Sequence, residues 1–315
     1  MPKIGIMHSG TYGRSEHADS LSSFEKAVQR TISPGVSVSF DDGGGTNWAG
    51  NDLRKLPAIA SRLLGDATVN LVAALGGTAS LNAAMTASNP QNKNIVFSTA
   101  DTPPAPPPPV PAYVFGVCAQ TASLDPERLD RLHKSVSGSN YGVLLNMRRP
   151  GVGNVITALQ GKAATWTPPV PTLDFQQVDP LSANPDPLTQ IQGFFNSWTQ
   201  ANGYAGVLVA SDPLFFDLMK DIVKIANKNN PYVMWQWSEF VQKNGWRSYG
   251  ADLNSCYSYA GSMAGELLNG GTPDPPIITL PPMGTLNRGL MVSKKMRLRR
   301  DVIEQVHKII VTRVR

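Results

Sequence analysis

The sequence predicts an α/β chain of two Rossmann-like lobes, each built on a parallel sheet, with a multi-strand hinge joining them. Three observations predict it. The 315 residues exceed what one hydrophobic core usually serves. Strand-like and helix-like segments alternate from Lys3 to Trp237 at the pace of doubly wound sheets. Val69 to Leu75 is an unbroken apolar run, the pattern of a strand covered on both faces.

The elements follow in order. Lys3 to Met7 is a short apolar strand, and Leu21 to Arg30 has helical spacing through Leu21, Phe24, Ala27 and Val28. Val36, Val38 and Phe40 alternate with serines as a second strand, and Asp41 to Asn51, with three consecutive glycines, is loop. Asp52 is the expected N-cap of a helix carrying Leu53, Leu56, Ile59, Ala60 and Leu63. The strand Val69 to Leu75 turns at Gly76-Gly77-Thr78 into a small-residue helix from Ser80, and Asn94 to Phe97 is the next strand. Thr102 to Pro111 holds seven prolines and reads as a polyproline II crossing of the surface.

A second series begins after Val114 to Ala119. It runs helix Pro126 to Val136, strand Tyr141 to Leu145, helix Asn154 to Gln160 and strand Leu173 to Val178. Helix Leu188 to Gln200, strand Gly206 to Ala210, helix Pro213 to Asn227 and strand Tyr232 to Trp237 complete it.

Composition narrows the function classes. Apolar residues make up 41% and charged residues 16%, an ordinary globular profile. The net charge is +5, with the excess near the end at Lys294, Lys295, Arg297, Arg299, Arg300, Arg313 and Arg315. No nucleic-acid-binding motif accompanies that tail, so it reads as a solvated end. Cys118 and Cys256 are too few for a disulfide scaffold and lack zinc-site spacing; they read as two unbridged buried residues. No run reaches the roughly 18–20 apolar residues of a membrane span. Met1-Pro2-Lys3 leads directly into a strand, so the expected location is periplasmic if a leader was removed ahead of Met1 and cytoplasmic if Met1 is the native start.

In open parallel sheets, ligands sit beyond the carboxyl ends of the strands, where helix N-termini present unpaired N–H groups. That rule nominates Ser9, Gly10, Thr11 and Tyr12 after the first strand. It nominates Gly77, Thr78 and Ala79, with Ser80, after the third, and Thr99 and Asp101 after the fourth. From the second series it nominates Asn146, Ser211, Asp212 and Phe215, then Trp235, with Trp237, and Tyr249. Serine and threonine there are equally candidates for simple caps, and the tryptophan face is either core or ligand wall. Thr78, where turn, hydroxyl and helix start coincide, is the leading ligand contact. The tryptophans favour a flat or apolar ligand moiety.

Nothing marks an enzyme. His8 borders the nominated loops without a partnered nucleophile, and His133 and His307 read as solvated. Glycines 43 to 45 lack the P-loop lysine, Gly10-x-x-Gly13 lacks the dinucleotide pattern, and no cofactor or metal is expected.

Several segments resemble the ABC transporter substrate-binding family that includes tryptophan/tyrosine-type receptors. They are Asn47 to Gly50 with Asp52 to Ala60, Ala73 to Ser80, Leu124 to Leu129, Tyr141 to Asn146 and Gly206 to Phe215. The fullest is Trp237-Ser238-Glu239-Phe240-Val241 followed by Ser248-Tyr249-Gly250. The resemblance runs in order over residues 3 to about 270. It implies a type I periplasmic-binding-protein fold with three crossovers between lobes. One lobe would comprise residues 1–116 with about 245–280, the other 117–244 with about 281–315. It also implies a monomer that captures a small molecule, such as an amino acid or aromatic compound, in the interlobe cleft, with an ABC permease as partner. A cytoplasmic small-molecule sensor or regulatory binding subunit of the same fold is the alternative. The chain departs from the family at the proline run, at Ser238 where the family carries arginine, and at Leu290 to Leu298.

Overall fold

The computed structural model describes residues 1–102, 111–136, 138–167, 171–230, 232–294 and 306–311. The chain forms two compact units, Met1–Thr121 with Ala251–Pro281 and Ala122–Gly250 with Pro282–Arg315.

The first unit is a six-stranded, all-parallel sheet in the order β11-β5-β4-β3-β1-β2. Its strands are β1 (Lys3–His8), β2 (Ser39–Asp41), β3 (Leu71–Leu75), β4 (Asn94–Ala100), β5 (Val114–Cys118) and β11 (Ile277–Thr279). Every residue of β3 is buried, as its continuous apolar sequence requires. Helices α2 (Leu56–Gly65) and α3 (Thr78–Thr86) cover one face with Leu56, Ile59, Leu63 and Leu81. Helices α1 (Ser15–Thr31) and α10 (Leu253–Leu268) pack on each other. Gly261 and Gly265 of α10 make that approach possible. A Cβ on Gly261 would lie 2.3 Å from the Phe24 carbonyl oxygen, and one on Gly265 2.8 Å from Thr31 Cβ.

The second unit is a seven-stranded sheet in the order β13-β12-β10-β9-β8-β6-β7. Its strands are β6 (Asn140–Asn146), β7 (Thr172–Val178), β8 (Tyr204–Val209), β9 (Val233–Trp235), β10 (Arg247–Gly250), β12 (Met283–Asn287) and β13 (Lys308–Ile310). All neighbours are parallel except β10 and β12. Both sheets are thus parallel-dominated, as the sequence predicts, and β10–β12 is the antiparallel pair among the described strands. Its helices are α4 (Asp125–Ser135), α5 (Val152–Ala164), α6 (Pro187–Ser197), α7 (Pro213–Asp217), α8 (Met219–Asn229), α9 (Ser238–Gln242) and α11 (Arg288–Ser293). Leu129, Leu132, Leu159 and Trp166 of the α4–α5 layer pack on Tyr141, Val143, Leu208 and Met234 of the sheet.

Several expected elements change in extent. Helix α1 starts at Ser15 rather than Leu21, because His17 and Ser20 bury while their polar neighbours stay wet. Strand β2 omits Val36, which is 38% exposed. Asp52 does not cap the following helix: its carboxylate takes both Nε and Nη2 of Arg54, at 2.7 and 2.9 Å. The helix expected from Pro213 breaks at Leu218 into α7 and α8. Strand β9 stops at Trp235, and Trp237 is the N-cap of α9. Residues 247–250, assigned from sequence to the first lobe, hydrogen-bond into the second sheet as β10. The chain therefore changes unit at 121/122, 250/251 and 281/282.

The prolines at 103–109 and the basic residues at 295, 297, 299, 300, 313 and 315 lie outside the described residues, as do 295–298 of the expected terminal segment. Cys118 and Cys256 are buried, and no disulfide joins them. Among the described residues, no helix is long and apolar enough to cross a membrane.

Candidate functional site

Both strand orders place a switch point in the sheet. In the first unit β1 lies between β2 and β3, and in the second β6 lies between β7 and β8. Consecutive connections leave in opposite directions there, which opens a crevice at the carboxyl ends of the strands. The loops after β1, β3, β6 and β8 are therefore the candidate ligand-facing loops.

In the first unit these loops are tied to one another. The Ser9 hydroxyl donates to the Gly76 carbonyl at 2.6 Å. Gly76 has φ +84°, and a Cβ there would meet Ser9 Oγ at 2.6 Å and Ser9 N at 3.0 Å. The segment Asn47 to Asn51 runs beside the end of β1: the Ala49, Gly50 and Asn51 N–H groups donate to the carbonyls of His8, Gly10 and Ser9. Asn51 Nδ2 donates to Thr11 Oγ1 at 3.3 Å. Tyr12 is exposed, with its ring edge-on to Trp48 at 5.7 Å.

His8 is the hub of this arrangement. It is 1% exposed, stacked on Trp48 at 4.2 Å and edge-on to His17 at 4.5 Å. The Gly10 N–H donates to Nδ1 at 2.9 Å, so Nδ1 is unprotonated and the neutral ring carries its hydrogen on Nε2, 3.2 Å from the Tyr257 hydroxyl. Burial first, then the His17 charge, hold the His8 pKa well below its ordinary value. Burial likewise pushes the Tyr257 phenol up.

Gly77, at φ +103°, is the N-cap of α3, so the first N–H groups of Thr78 and Ala79 have no intrahelical acceptor. The Thr78 hydroxyl accepts the Asp101 N–H at 2.9 Å, which fastens the start of α3 to the loop after β4. Thr99 takes φ +62°, an uncommon conformation for a β-branched residue, and its hydroxyl donates to the Ser98 carbonyl. Thr78, Ala79 and Asp101 are partly exposed, whereas Ser80 and Thr99 are buried.

In the second unit the loop after β6 meets the loop after β8. Asn146 Nδ2 donates to Asp212 Oδ1 at 3.0 Å, and its Oδ1 accepts the Arg148 N–H. Asp212 caps α7 through the Leu214 N–H. Burial raises its carboxyl pKa against the lowering pull of Arg149 and Asn146. Beneath these loops lies a network that the sequence did not reveal. Asp125 and Arg128 form an ion pair of 2.7 Å, both side chains fully buried. Arg149 reaches the other Asp125 oxygen at 3.3 Å. Arg128 Nη1 also donates to Ser211 Oγ at 2.7 Å, and its Nε to the Tyr249 carbonyl at 2.6 Å. The Asp125–Arg128 spacing was readable as a same-face helical pair. Partners separated by 83 and 121 positions left no local signal.

The remaining nominated residues are interior. Phe215 and Trp235 are each 1% exposed, and Trp235 stacks on Phe240 at 4.7 Å. Tyr249 is buried with Arg131 over its ring at 3.7 Å. His133 is not solvated as expected: it stacks on Trp166 at 3.9 Å, and its Nδ1 lies 3.0 Å from the Tyr141 hydroxyl. His307 is also engaged, its Nδ1 accepting the Gly284 N–H at 3.0 Å. Among the described residues no three His, Cys, Asp or Glu side chains cluster to hold a metal ion.

No family model matches the chain, and no curated protein matches it in sequence. Solved structures do match its architecture. A conserved domain protein from Vibrio cholerae superposes with a TM-score of 0.74 at 11% identity, over 98% of this chain and 99% of that one. An ABC domain from Streptococcus pneumoniae, in complex with L-Trp, gives 0.71 at 14% identity, over 98% and 100%. The fold is that of a type I periplasmic binding protein. A 5-methylthioribose transporter solute-binding protein from Thermotoga lettingae, in complex with 5-methylthioribose, gives 0.61 at 12% identity, over 96% and 90%. An ABC transporter solute-binding protein from Agrobacterium vitis, bound with alpha-D-tagatopyranose, also matches, with a TM-score of 0.61 at 12% identity over 97% of this chain and 99% of that one, so the bound molecules among these neighbours differ chemically.

Proposed function

We propose that the chain is a solute-binding receptor that takes a small molecule through the loops at the switch points of its two sheets. The observation that carries this reading is the repeated strand order, which opens the ends of β1 and β3 in one unit and of β6 and β8 in the other. Ligand-bound neighbours of the same fold support it. The chain binds without chemistry in this reading. His8 has its ring engaged by Gly10 and Tyr257, and Asp212 is engaged by Asn146 and Leu214. Neither is presented to a nucleophile in the manner of a catalytic pair.

The ligand class is a small amphipathic molecule such as an amino acid or aromatic compound. The α3 N-terminus suits an anionic group, and Asp101 and Asp212 suit a cationic one. An ABC permease is the corresponding partner of this reading.

Isothermal titration of protein freed of co-purified compounds, against amino acids, aromatic acids, nucleosides and pentoses, tests the reading. One class is expected to bind in a single site. Thr78→Ala and Asp212→Asn are each expected to weaken that binding at least tenfold at a temperature where the variant is fully folded, since each also loses a bond that ties its loop. Binding that ignores both substitutions would remove the switch-point loops as the site.

A further inference from the structure

The last described elements of the second unit put positive charge and exposed apolar side chains together. Helix α11 and strand β13 touch, and β13 is the edge strand of its sheet, paired with β12. Arg288, Lys294 and Lys308 are exposed, and none of them pairs with a carboxylate among the described residues. On the same two elements and the residue after them, Val292 is 72% exposed, Ile309 55% and Val311 70%. They are three of the eight large apolar side chains that stand exposed among the described residues. Single exposed apolar residues need no explanation, but a group of them marks a contact surface.

The sequence shows how uneven the charge is. Residues 288–315 hold nine lysines and arginines against two acids, a balance of +7, so the rest of the chain carries −2 of the net +5. The same residues contain no Phe, Trp or Tyr.

These features choose between occupants. A second copy of the chain would bring two strongly cationic ends together, and like charges repel. A nucleic acid would engage the cations, but the rings on which bases stack are missing, and aliphatic side chains gain little against a phosphate backbone. An anionic bilayer takes both features at once. Its phosphates attract the lysines and arginines, and its interfacial layer accepts aliphatic side chains. We propose that the α11–β13 end of the second unit binds the surface of an anionic lipid bilayer, with Arg288, Lys294 and Lys308 at the lipid phosphates and Val292, Ile309 and Val311 in the interfacial layer.

Co-sedimentation of the full chain with lipid vesicles tests this. Vesicles of phosphatidylcholine mixed with phosphatidylglycerol are expected to carry the protein down, and vesicles of phosphatidylcholine alone to leave it in solution. Lys294→Gln with Lys308→Gln is expected to weaken the binding about tenfold. Val292→Ser with Ile309→Ser and Val311→Ser is expected to weaken it about tenfold as well. Failure to sediment with the anionic vesicles overturns the proposal, as does equal sedimentation with the neutral ones. Undiminished binding by the serine variant also overturns it, because adsorption would then be purely electrostatic. So does tighter binding of a duplex DNA or an RNA oligonucleotide than of the anionic vesicles, which would make the end a nucleic-acid surface. If the serine variant does not fold, a bimane label on Val292→Cys decides, since Cys118 and Cys256 are buried. Quenching of the label by spin-labelled lipid in anionic vesicles supports the contact, and unchanged emission rejects it.

Discussion

At the scale of single residues, two positions in the first unit carry consequences out of proportion to their size. His8 is held neutral by a backbone N–H aimed at Nδ1. Because its folded pKa lies below the ordinary 6.5, the unfolded chain binds more protons in the interval between the two values. Stability is therefore full above about pH 7 and is lost as the pH falls below about 6.5. His133 is shifted in the same direction by burial, so His8→Gln removes only part of the acid slope in melting temperature. Gly76 is the second position. Its φ of +84° and the 3.0 Å approach to Ser9 N leave no room for a methyl group. Gly76→Ala is expected to cost about 1–3 kcal/mol by urea denaturation. The glycine was visible in the sequence as a turn, but its contact with Ser9, from a strand 67 positions away, was not.

At the scale of elements, the regular alternation of β3, α3 and β4 was legible because β3 is apolar throughout, β4 carries the apolar run Ile95 to Phe97, and a Gly-Gly turn opens the helix between them. The later elements were harder to read. Strand β10 begins with a buried arginine, which no hydrophobic pattern predicts, and β9 and β11 have only three residues each. The α1–α10 contact rests on glycines that single-sequence reasoning treats as weak helix formers. Gly261→Ala would bring a Cβ within 2.9 Å of Ala27 Cβ and 2.3 Å of the Phe24 carbonyl oxygen. Spreading the two helices is expected to destabilise the first unit by about 1–3 kcal/mol, measurable as a lowered denaturant midpoint. The buried Asp125–Arg128 pair plays the comparable part in the second unit, fastening α4 to the loop after β8 and to β10. Arg128→Met leaves the buried Asp125 with Arg149 at 3.3 Å and the long Ser211 contacts at 3.4 and 3.5 Å, and is expected to cost about 3–5 kcal/mol. A repacked interior that compensated fully would show instead as an unchanged midpoint.

At the scale of the whole molecule, the repeated strand order connects the sequence to the proposed role. The candidate loops were found by a rule about sheets, not by a chemical motif, and their Gly, Ser and Thr content was readable at Ser9, Gly10, Gly77 and Thr78. The side chains that brace those loops from behind were not readable, since His8–Tyr257 spans 249 positions and Arg128–Ser211 spans 83. Trp235 shows the limit of reading aromatics from sequence. The periodicity that makes a strand residue a candidate ligand wall serves equally to place it against Phe240 in the core. The measurement that tests the central claim most directly is a thermal-shift screen of the refolded, ligand-free chain against amino acids, aromatic acids, nucleosides and sugars. One chemical class is expected to raise the melting temperature by several degrees, with the rise abolished in Thr78→Ala. A rise of the same size in Thr78→Ala, or no rise with any class, would contradict binding at the switch-point loops.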